Sequence, residues 1–500
     1  MNTLTEAAPT QVKLMSGDAY RESLRRYQPK VFVDGRRVAS VADEPALRPG
    51  VNALAFTYDY ALRPELAPIA LATNTSRNRV VSRMLHVNES AGDLLNKLEA
   101  VRVLCQETGC AQRYLAHDAL NGIAQVVAHL DDAKGTTEHR ARFETYLAHV
   151  QEQDLSLGIA MTDAKGDRSR KPHEQANPDT YVHIVERSAN GIVISGTKAI
   201  VTGAPYMHEL LVMPSRNMGR EDAEFAVCCA LRVDEPGITI VSRPAGRPGE
   251  KLEHGDALFS RKYGQATAVV IFERVFVPWE RVFCYRDVAL SNNLFTQTAV
   301  RNYTAHQTNT RALVKMQFAV GLAVSVARAI KADQFLHVQQ MLGEILGTIE
   351  EIKSALVRSE VEAETTPHGT LRPALPPLLA LRTRLPYTYP RVIEVLQTIA
   401  AGGFMMMPTG ADFVAPELAD DTGLYYQGAG MPSLDRVKLF KLAWDLAGES
   451  FGQRLVQYER YYAGDPVRNL AMNYLGCDDG EMMRLVANAL ELAGRPVRPG

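Results

Sequence analysis

Between Thr180 and Arg281 the chain is a succession of short β-rich runs with helical periodicity on both sides, and this change of pattern limits the possible folds most. The runs are Tyr181–Glu186, Gly191–Val201, Leu210–Met213, Phe225–Leu231, Gly237–Val241 and Thr267–Phe272. Asn190-Gly191 between the first two is a hairpin signal, because Asn-Gly readily adopts the positive φ of a tight turn. Strands joined by turns rather than helices favour an antiparallel sheet or barrel over a parallel βαβ sheet. Upstream, a lead-in broken by Pro29, Pro45, Pro49 and Pro64 gives way to helix from Leu85 to about Val150, with Ser90 and Asp93 spaced as a capping box. Downstream, helical period returns from about Leu294. Leu342, Ile345, Ile349, Ile352 and Leu356 make a seam that suits core packing in one bundle, or in addition a contact between the bundles of two subunits. A Pro-rich stretch, Pro367 to Pro377, separates this helix from the next. The expectation is an α+β chain: a helical N-terminal domain at 1–153, a β domain at 154–285 and a helical bundle at 286–500.

Composition narrows the function by exclusion. A net charge of -2 gives no bulk attraction to nucleic acid or anionic membrane. Glu6, Lys13 and Asp18 interrupt the N-terminus, so no signal peptide is expected, nor does an apolar run reach the roughly 18 residues of a spanning helix. A cytoplasmic location is the default expectation. Six cysteines are too sparse for a disulfide framework, and Cys228 and Cys229 read as core. No G-x-G-x-x-G opens a helix after a strand, and there is no Walker A, H-E-x-x-H or paired C-x-x-C. A dinucleotide would therefore bind by another route than the Rossmann turn.

Three segments carry candidate chemistry, each with an ordinary alternative. Ala160, Met161 and Thr162, followed by Asp167 and Arg168, form a polar junction where helix gives way to sheet. Its hydroxyls and amides suit a flavin pyrimidine edge and its arginine suits a phosphate, or it is a solvated loop. Thr202-Gly203 ends a strand, where a hydroxyl and a close backbone approach suit a flat ring, or it is a plain turn. Gly464-Asp465-Pro466 precedes the last helical part. It cradles a pyrophosphate, or it is only a capped helix start with Pro at the first position.

The order and wording of these segments resemble the family of 4-hydroxyphenylacetate 3-monooxygenase (large component) and 4-hydroxybutyryl-CoA dehydratase. So do Val275-Phe276-Val277-Pro278-Trp279-Glu280-Arg281-Val282-Phe283, Ala401-Gly402-Gly403, Met407-Pro408-Thr409 and Gly448-Glu449-Ser450-Phe451-Gly452. The resemblance runs from Gly17 to the last helix. It implies an acyl-CoA dehydrogenase-like fold with a β-barrel-like middle domain, FAD between that domain and the bundle, and a homotetramer or homodimer.

The two branches of the family differ at particular positions. The dehydratase branch holds an iron–sulfur cluster on three cysteines and a histidine. The resemblance matches these to Cys110, Tyr114, His306 and Leu313, so two of four ligands are replaced and no metal is expected. The monooxygenase branch places an arginine and a tyrosine, four apart, beside the phenol, and a histidine on the substrate side. The tyrosine matches Tyr114, but Cys110 and Gly158 stand at the other two positions, so these are taken as substrate-side sites of altered chemistry.

The reading that follows is a reduced-flavin-dependent monooxygenase of the two-component type, hydroxylating a phenolic or related aromatic. His306 would act as base, with Tyr114 and Arg113 orienting the substrate, and a separate NAD(P)H:flavin reductase would supply reduced FAD. The alternative is a redox-neutral or dehydrogenating flavoenzyme on an acyl-CoA thioester, without the cluster. A structural homologue lacking activity is a third.

Overall fold

The computed structural model describes residues 9–109, 115–215, 217–247 and 255–494. Two long strands, Gly191–Thr202 and Thr267–Pro278, pair antiparallel from Gly191↔Pro278 to Thr202↔Thr267 and make the spine of a six-stranded sheet. Their branched residues alternate between faces, and Ile192, Ile194, Val270 and Phe272 point into the core. Gly191 starts the hairpin where a Cβ would lie 2.2 Å from the Val277 carbonyl oxygen, so only glycine lets the two strands close up there. Across the sheet the order is Arg36–Arg37, Lys30–Val33, Ile238–Ser242, Thr267–Pro278, Gly191–Thr202, His183–Arg187. A four-stranded sheet runs Val282–Tyr285, Val227–Arg232, Glu209–Val212, Leu157–Ala160.

Neither sheet closes on itself among the described residues, so the barrel-like middle is a pair of open sheets. The pairing is also not wholly antiparallel. Lys30–Val33 lies parallel to Ile238–Ser242, and Leu157–Ala160 lies parallel to Glu209–Val212. Both parallel partners come from outside the alternating block. Long crossovers supply the connection that a parallel pair needs.

The first part of the chain packs with the sheets. Leu24 and Leu54, from the helices Gly17–Arg26 and Arg48–Asp59, share one core with Ile192, Val270 and Leu231. Leu115–Lys134 and Glu138–Glu152 cover the four-stranded sheet through Ile123, Val127 and Phe143 against Leu211 and Phe283. Ala91–Thr108 starts at the Ser90–Asp93 box, where the Ser90 amide donates to Asp93 Oδ2 at 3.0 Å, and packs toward Val314 of the bundle.

Val300–Ala329 is the central bundle helix, flanked by Leu336–Val361, Leu375–Ala400, Ser433–Ala447 and Ser450–Tyr461. The seam from Leu342 to Leu356 is buried against this bundle, which is the core-packing alternative. Among the described residues, Val300–Ala329 is the one helix long and apolar enough to cross a membrane. Its apolar window is 67% buried inside the protein, as a central bundle helix requires.

Candidate functional site

The central helix is apolar at its C-terminal end but carries a buried polar run, Asn302 and then His306 to Arg311, with Lys315 one turn on. Buried polar groups need partners, and most have them. Asn302 donates to the Pro373 carbonyl at 2.8 Å and Asn309 to that of Leu378 at 3.1 Å. Arg311 grips both oxygens of Glu459 at 3.0 and 2.8 Å, and Lys315 adds a third contact to Glu459 at 2.7 Å. What is left over marks the site. His306 Nδ1, Gln307 Nε2, Asn309 Oδ1, Thr310 Oγ1 and Asp118 Oδ2 are buried and have no hydrogen-bond partner among the described residues.

His306 is fully buried, with Nε2 2.9 Å from Glu360 Oε1. Burial, together with the nearby Lys97 charge, pushes its pKa down to about 4, against the opposing pull of Glu360. The expectation of a histidine poised near neutrality is therefore corrected: desolvation disfavours the imidazolium. At pH 7 the ring is neutral. Nε2–H donates to the carboxylate, which can only accept, and Nδ1 carries the lone pair. Beside it Lys97 Nζ meets Asp118 Oδ1 at 2.9 Å, both buried, and burial pushes the Asp118 carboxyl up to about 6. Glu360, Asp118, Lys97, Arg311 and Glu459 were not singled out from the sequence. The available signal was the polar run inside an apolar helix, since such a run must meet charges from other helices.

The first candidate segment meets the strand Gly191–Thr202, which ends in the second. Ala199 N–H donates to the Thr162 carbonyl at 2.9 Å, and Lys198 Nζ binds the Met161 carbonyl at 3.0 Å, the Met213 carbonyl at 2.8 Å and Asp163 Oδ1 at 2.5 Å. Thr162 is exposed and its hydroxyl makes no hydrogen bond among the described residues. Ala160 is buried in its strand and Met161 is half-buried after it. Asp167 and Arg168 turn away into solvent. Asp167 caps its own turn at the Ser169 amide (3.0 Å), and Gln175 holds its backbone.

Thr202 Oγ1 accepts from Arg454 Nη2 at 3.3 Å, and Arg454 also reaches Gln265 and Thr267. Gly203 follows at φ +73°, where a Cβ would come 2.5 Å from Met207 Cε, so the turn requires glycine. Arg454 lies 5.4 Å from the Tyr458 ring centroid, and Arg311 lies 4.7 and 4.3 Å from those of Tyr458 and Tyr462. This stack connects the Thr202 turn, the polar run and the third segment, in which Asp465 caps the Arg468 amide at 2.8 Å with Pro466 at the first helical position. Thr162, Thr202 and Arg454 offer the hydroxyl and guanidinium donors that fit the polar edge of a flavin.

Gly158 is buried in its strand, and a Cβ there would lie 2.9 Å from Leu210 Cδ2 and 3.2 Å from Met207 Cγ. The space beside this position is thus filled by apolar side chains. Cys110, Arg113 and Tyr114 lie outside the described residues. Leu313 is in the bundle core.

Residues 16–284 match the family model described as 4-hydroxyphenylacetate 3-hydroxylase N terminal, and residues 291–491 match its C-terminal counterpart. The chain belongs to the 4-hydroxyphenylacetate 3-hydroxylase family. Relatives in this family include the 4-hydroxyphenylacetate 3-monooxygenase oxygenase component of Geobacillus sp. (strain PA-9), 31% identical over 91% of this chain and 92% of that one. The 4-hydroxybutyryl-CoA dehydratase/vinylacetyl-CoA-Delta-isomerase of Clostridium aminobutyricum is 31% identical over 80% and 82%. Among solved structures, the oxygenase component complexed with FAD and 4-hydroxyphenylacetate superposes with a TM-score of 0.88 at 28% identity, covering 96% of this chain and 99% of that one. The acyl-CoA dehydrogenase-like architecture expected from the family resemblance holds.

Proposed function

We propose that the chain is the oxygenase component of a two-component, reduced-FAD-dependent monooxygenase that hydroxylates a phenolic or related aromatic substrate. One observation carries the site-level reading: a fully buried histidine whose Nε2 is held by Glu360 while Nδ1 stays open. When bound, reduced FAD supplies, with O₂, an electrophilic oxygen for attack by the ring carbon ortho to the phenol. Thr162, Thr202 and Arg454 would hold the polar edge of the flavin, with Ala160, Met161 and Gly203 beside it, and Gly464, Asp465 and Pro466 would serve its phosphates. His306 Nδ1 takes the phenol proton, which makes the ortho carbon electron-rich. Its low basicity means that the proton moves as the reaction occurs, with Glu360 balancing the growing imidazolium charge. Arg113 and Tyr114 orient the phenol. The helices around His306 keep out water, which would otherwise divert the oxygen into hydrogen peroxide. One oxygen atom enters the ring and the other leaves as water.

A separate NAD(P)H:flavin reductase is the electron source, as befits an oxygenase component. The enzyme works in the cytoplasm as a homotetramer or homodimer.

The test is His306→Ala with reduced FAD, O₂ and candidate phenols under rapid mixing. Oxidation of reduced flavin should persist, product should fall roughly 10²–10⁴-fold, and hydrogen peroxide should take its place. Full coupling in this variant would remove His306 from the chemistry. Turnover of an acyl-CoA by the unaltered enzyme under strict anaerobiosis, starting from oxidised FAD, would sink the monooxygenase reading in favour of the thioester alternative.

A further inference from the structure

Asn88 is fully buried, and neither its amide nitrogen nor its amide oxygen has a hydrogen-bond partner among the described residues. Its backbone is held on both sides. The Asn88 N–H donates to Asn121 Oδ1 at 2.9 Å, and the Leu371 N–H donates to the Asn88 carbonyl at 3.1 Å. Asn121 Nδ2 donates in turn to the His86 and His117 carbonyls at 3.0 and 2.8 Å, which seats the segment 86–88 on the helix Leu115–Lys134. Tyr303 Oη, about one turn before His306 on the central helix, donates to the Leu371 carbonyl at 3.0 Å. Val87 and Glu89 line an outer groove, so the side chain between them turns inward, toward these two helices.

A buried carboxamide without partners costs stability, and an apolar side chain of the same shape would avoid that cost. The atoms near it that also lack partners are mostly lone pairs. His117 Nδ1–H donates to the Arg83 carbonyl at 2.9 Å, which leaves the Nε2 lone pair, and burial holds this ring neutral, well below the usual histidine range. Asp118 Oδ2 and His306 Nδ1 are acceptors as well, and Gln307 Nε2 adds a neutral donor. Lys97 stands between these groups: its Nζ donates to Asp118 Oδ1 at 2.9 Å, and its charge acts on both His117 and His306. The described cations nearby are already engaged. Lys97 rests on Asp118, Arg83 on Asp93 at 2.9 Å and on the Ile69 and Leu71 carbonyls at 2.7 and 2.5 Å, and Arg311 and Lys315 on Glu459. Among the described residues this interior face therefore offers lone pairs and neutral amides, and no cation to pair with a carboxylate.

We infer that Asn88 recognises the end of the substrate remote from its phenol, and that this end is a neutral hydrogen-bond donor, with a carboxamide fitting best, rather than a carboxylate. Two amides pair reciprocally: Asn88 Nδ2 donates to the substrate oxygen and Oδ1 accepts a substrate N–H, while His117 Nε2 accepts the second N–H of a primary amide. This names the substrate class for the phenol monooxygenase and rests on that reading for the ring end, where His306 Nδ1 meets the phenol.

The experiment is equilibrium binding of three probes of similar shape to the FAD-loaded full chain, followed by hydroxylation with reduced FAD and O₂. The probes are 4-hydroxyphenylacetamide, methyl 4-hydroxyphenylacetate and 4-hydroxyphenylacetate, which present a neutral donor, a neutral acceptor and an anion. The amide should bind roughly 10-fold tighter than the ester, and the ester tighter than the anion. Asn88→Leu should bring the amide to within about twofold of the ester, and the melting temperature should hold or rise, because an idle buried amide is replaced by an apolar group. Asn88→Ser, which keeps a donor and an acceptor, should recover part of the preference. A purely structural Asn88 predicts the reverse for Asn88→Leu, a lower melting temperature with the amide preference intact, and that result overturns the inference. So do equal affinities for the three probes, tighter binding of the anion, or no binding of the amide by the unaltered protein. Failure of the monooxygenase reading looks different, because bound probes would then go unhydroxylated whatever their order of affinity.

Discussion

Two groups of cations near Tyr462 are treated in opposite ways. Arg311 and Lys315 are fully buried and both rest on Glu459, whose carboxyl they hold down at about 2 although burial alone would raise it. Tyr458 and Tyr462 cover the Arg311 guanidinium as well. Arg301, Arg382 and Arg468 have no carboxylate partner among the described residues, and Arg301 lies close enough to the other two to feel their charge. The first group ties helix Ser450–Tyr461 to the central helix. The second adds nothing comparable to the fold by itself. A cation cluster answered inside the chain is architecture, and one left unanswered makes no comparable contribution to stability.

The comparison can be broken most sharply at Glu459. Glu459→Ala leaves Arg311 and Lys315 buried without a counter-charge and should cost about 3–5 kcal/mol in denaturant unfolding. A loss below about 1 kcal/mol would mean that the triad is no structural device.

A smaller effect is expected from pH. His306 titrates at about 4 in the folded chain and near 6.5 when unfolded. On acidification through this window the unfolded chain takes a proton that the folded one refuses. His306 thus contributes stability above pH 6.5 that is lost as pH falls toward 4, up to roughly 3 kcal/mol. Asp118, raised to about 6, works in the opposite direction, because the folded form binds its proton first. The measurement is therefore a difference: on acidification from pH 6.5 to 4, His306→Gln should lose less stability than the unaltered protein, or gain some, because the Asp118 contribution is then unopposed. Identical curves would show that burial does not depress this imidazole.

The smallest effect has the opposite sign to the first. In flavin-free protein, Arg301→Gln relieves repulsion and should leave stability unchanged or raise it by up to about 1 kcal/mol. A clear fall in melting temperature would place Arg301 with Arg311 as a structural cation.

Much of the local structure was legible in the chain. The strand runs, the Ser90–Asp93 box, the Asp465-Pro466 helix start and the Leu342–Leu356 seam all appear, since each depends on neighbours a few residues apart. Lys30–Val33 was not legible as a strand, because its partner Ile238–Ser242 lies some two hundred residues away and supplies the ladder that stabilises it. His306 was legible as a position of interest, but its lowered basicity was not.

The sequence by itself determined the order helix, sheet, bundle, the family, and the places where turns and caps must fall, because hydrophobic period and backbone preference act over short spans. Only the tertiary structure decided which charges are answered. Glu360 reaches His306 across 54 residues and Glu459 reaches Arg311 across 148. Whether such a pair forms, or an arginine is left waiting, is settled by helix packing, which sets the distances and removes the water that would otherwise screen them.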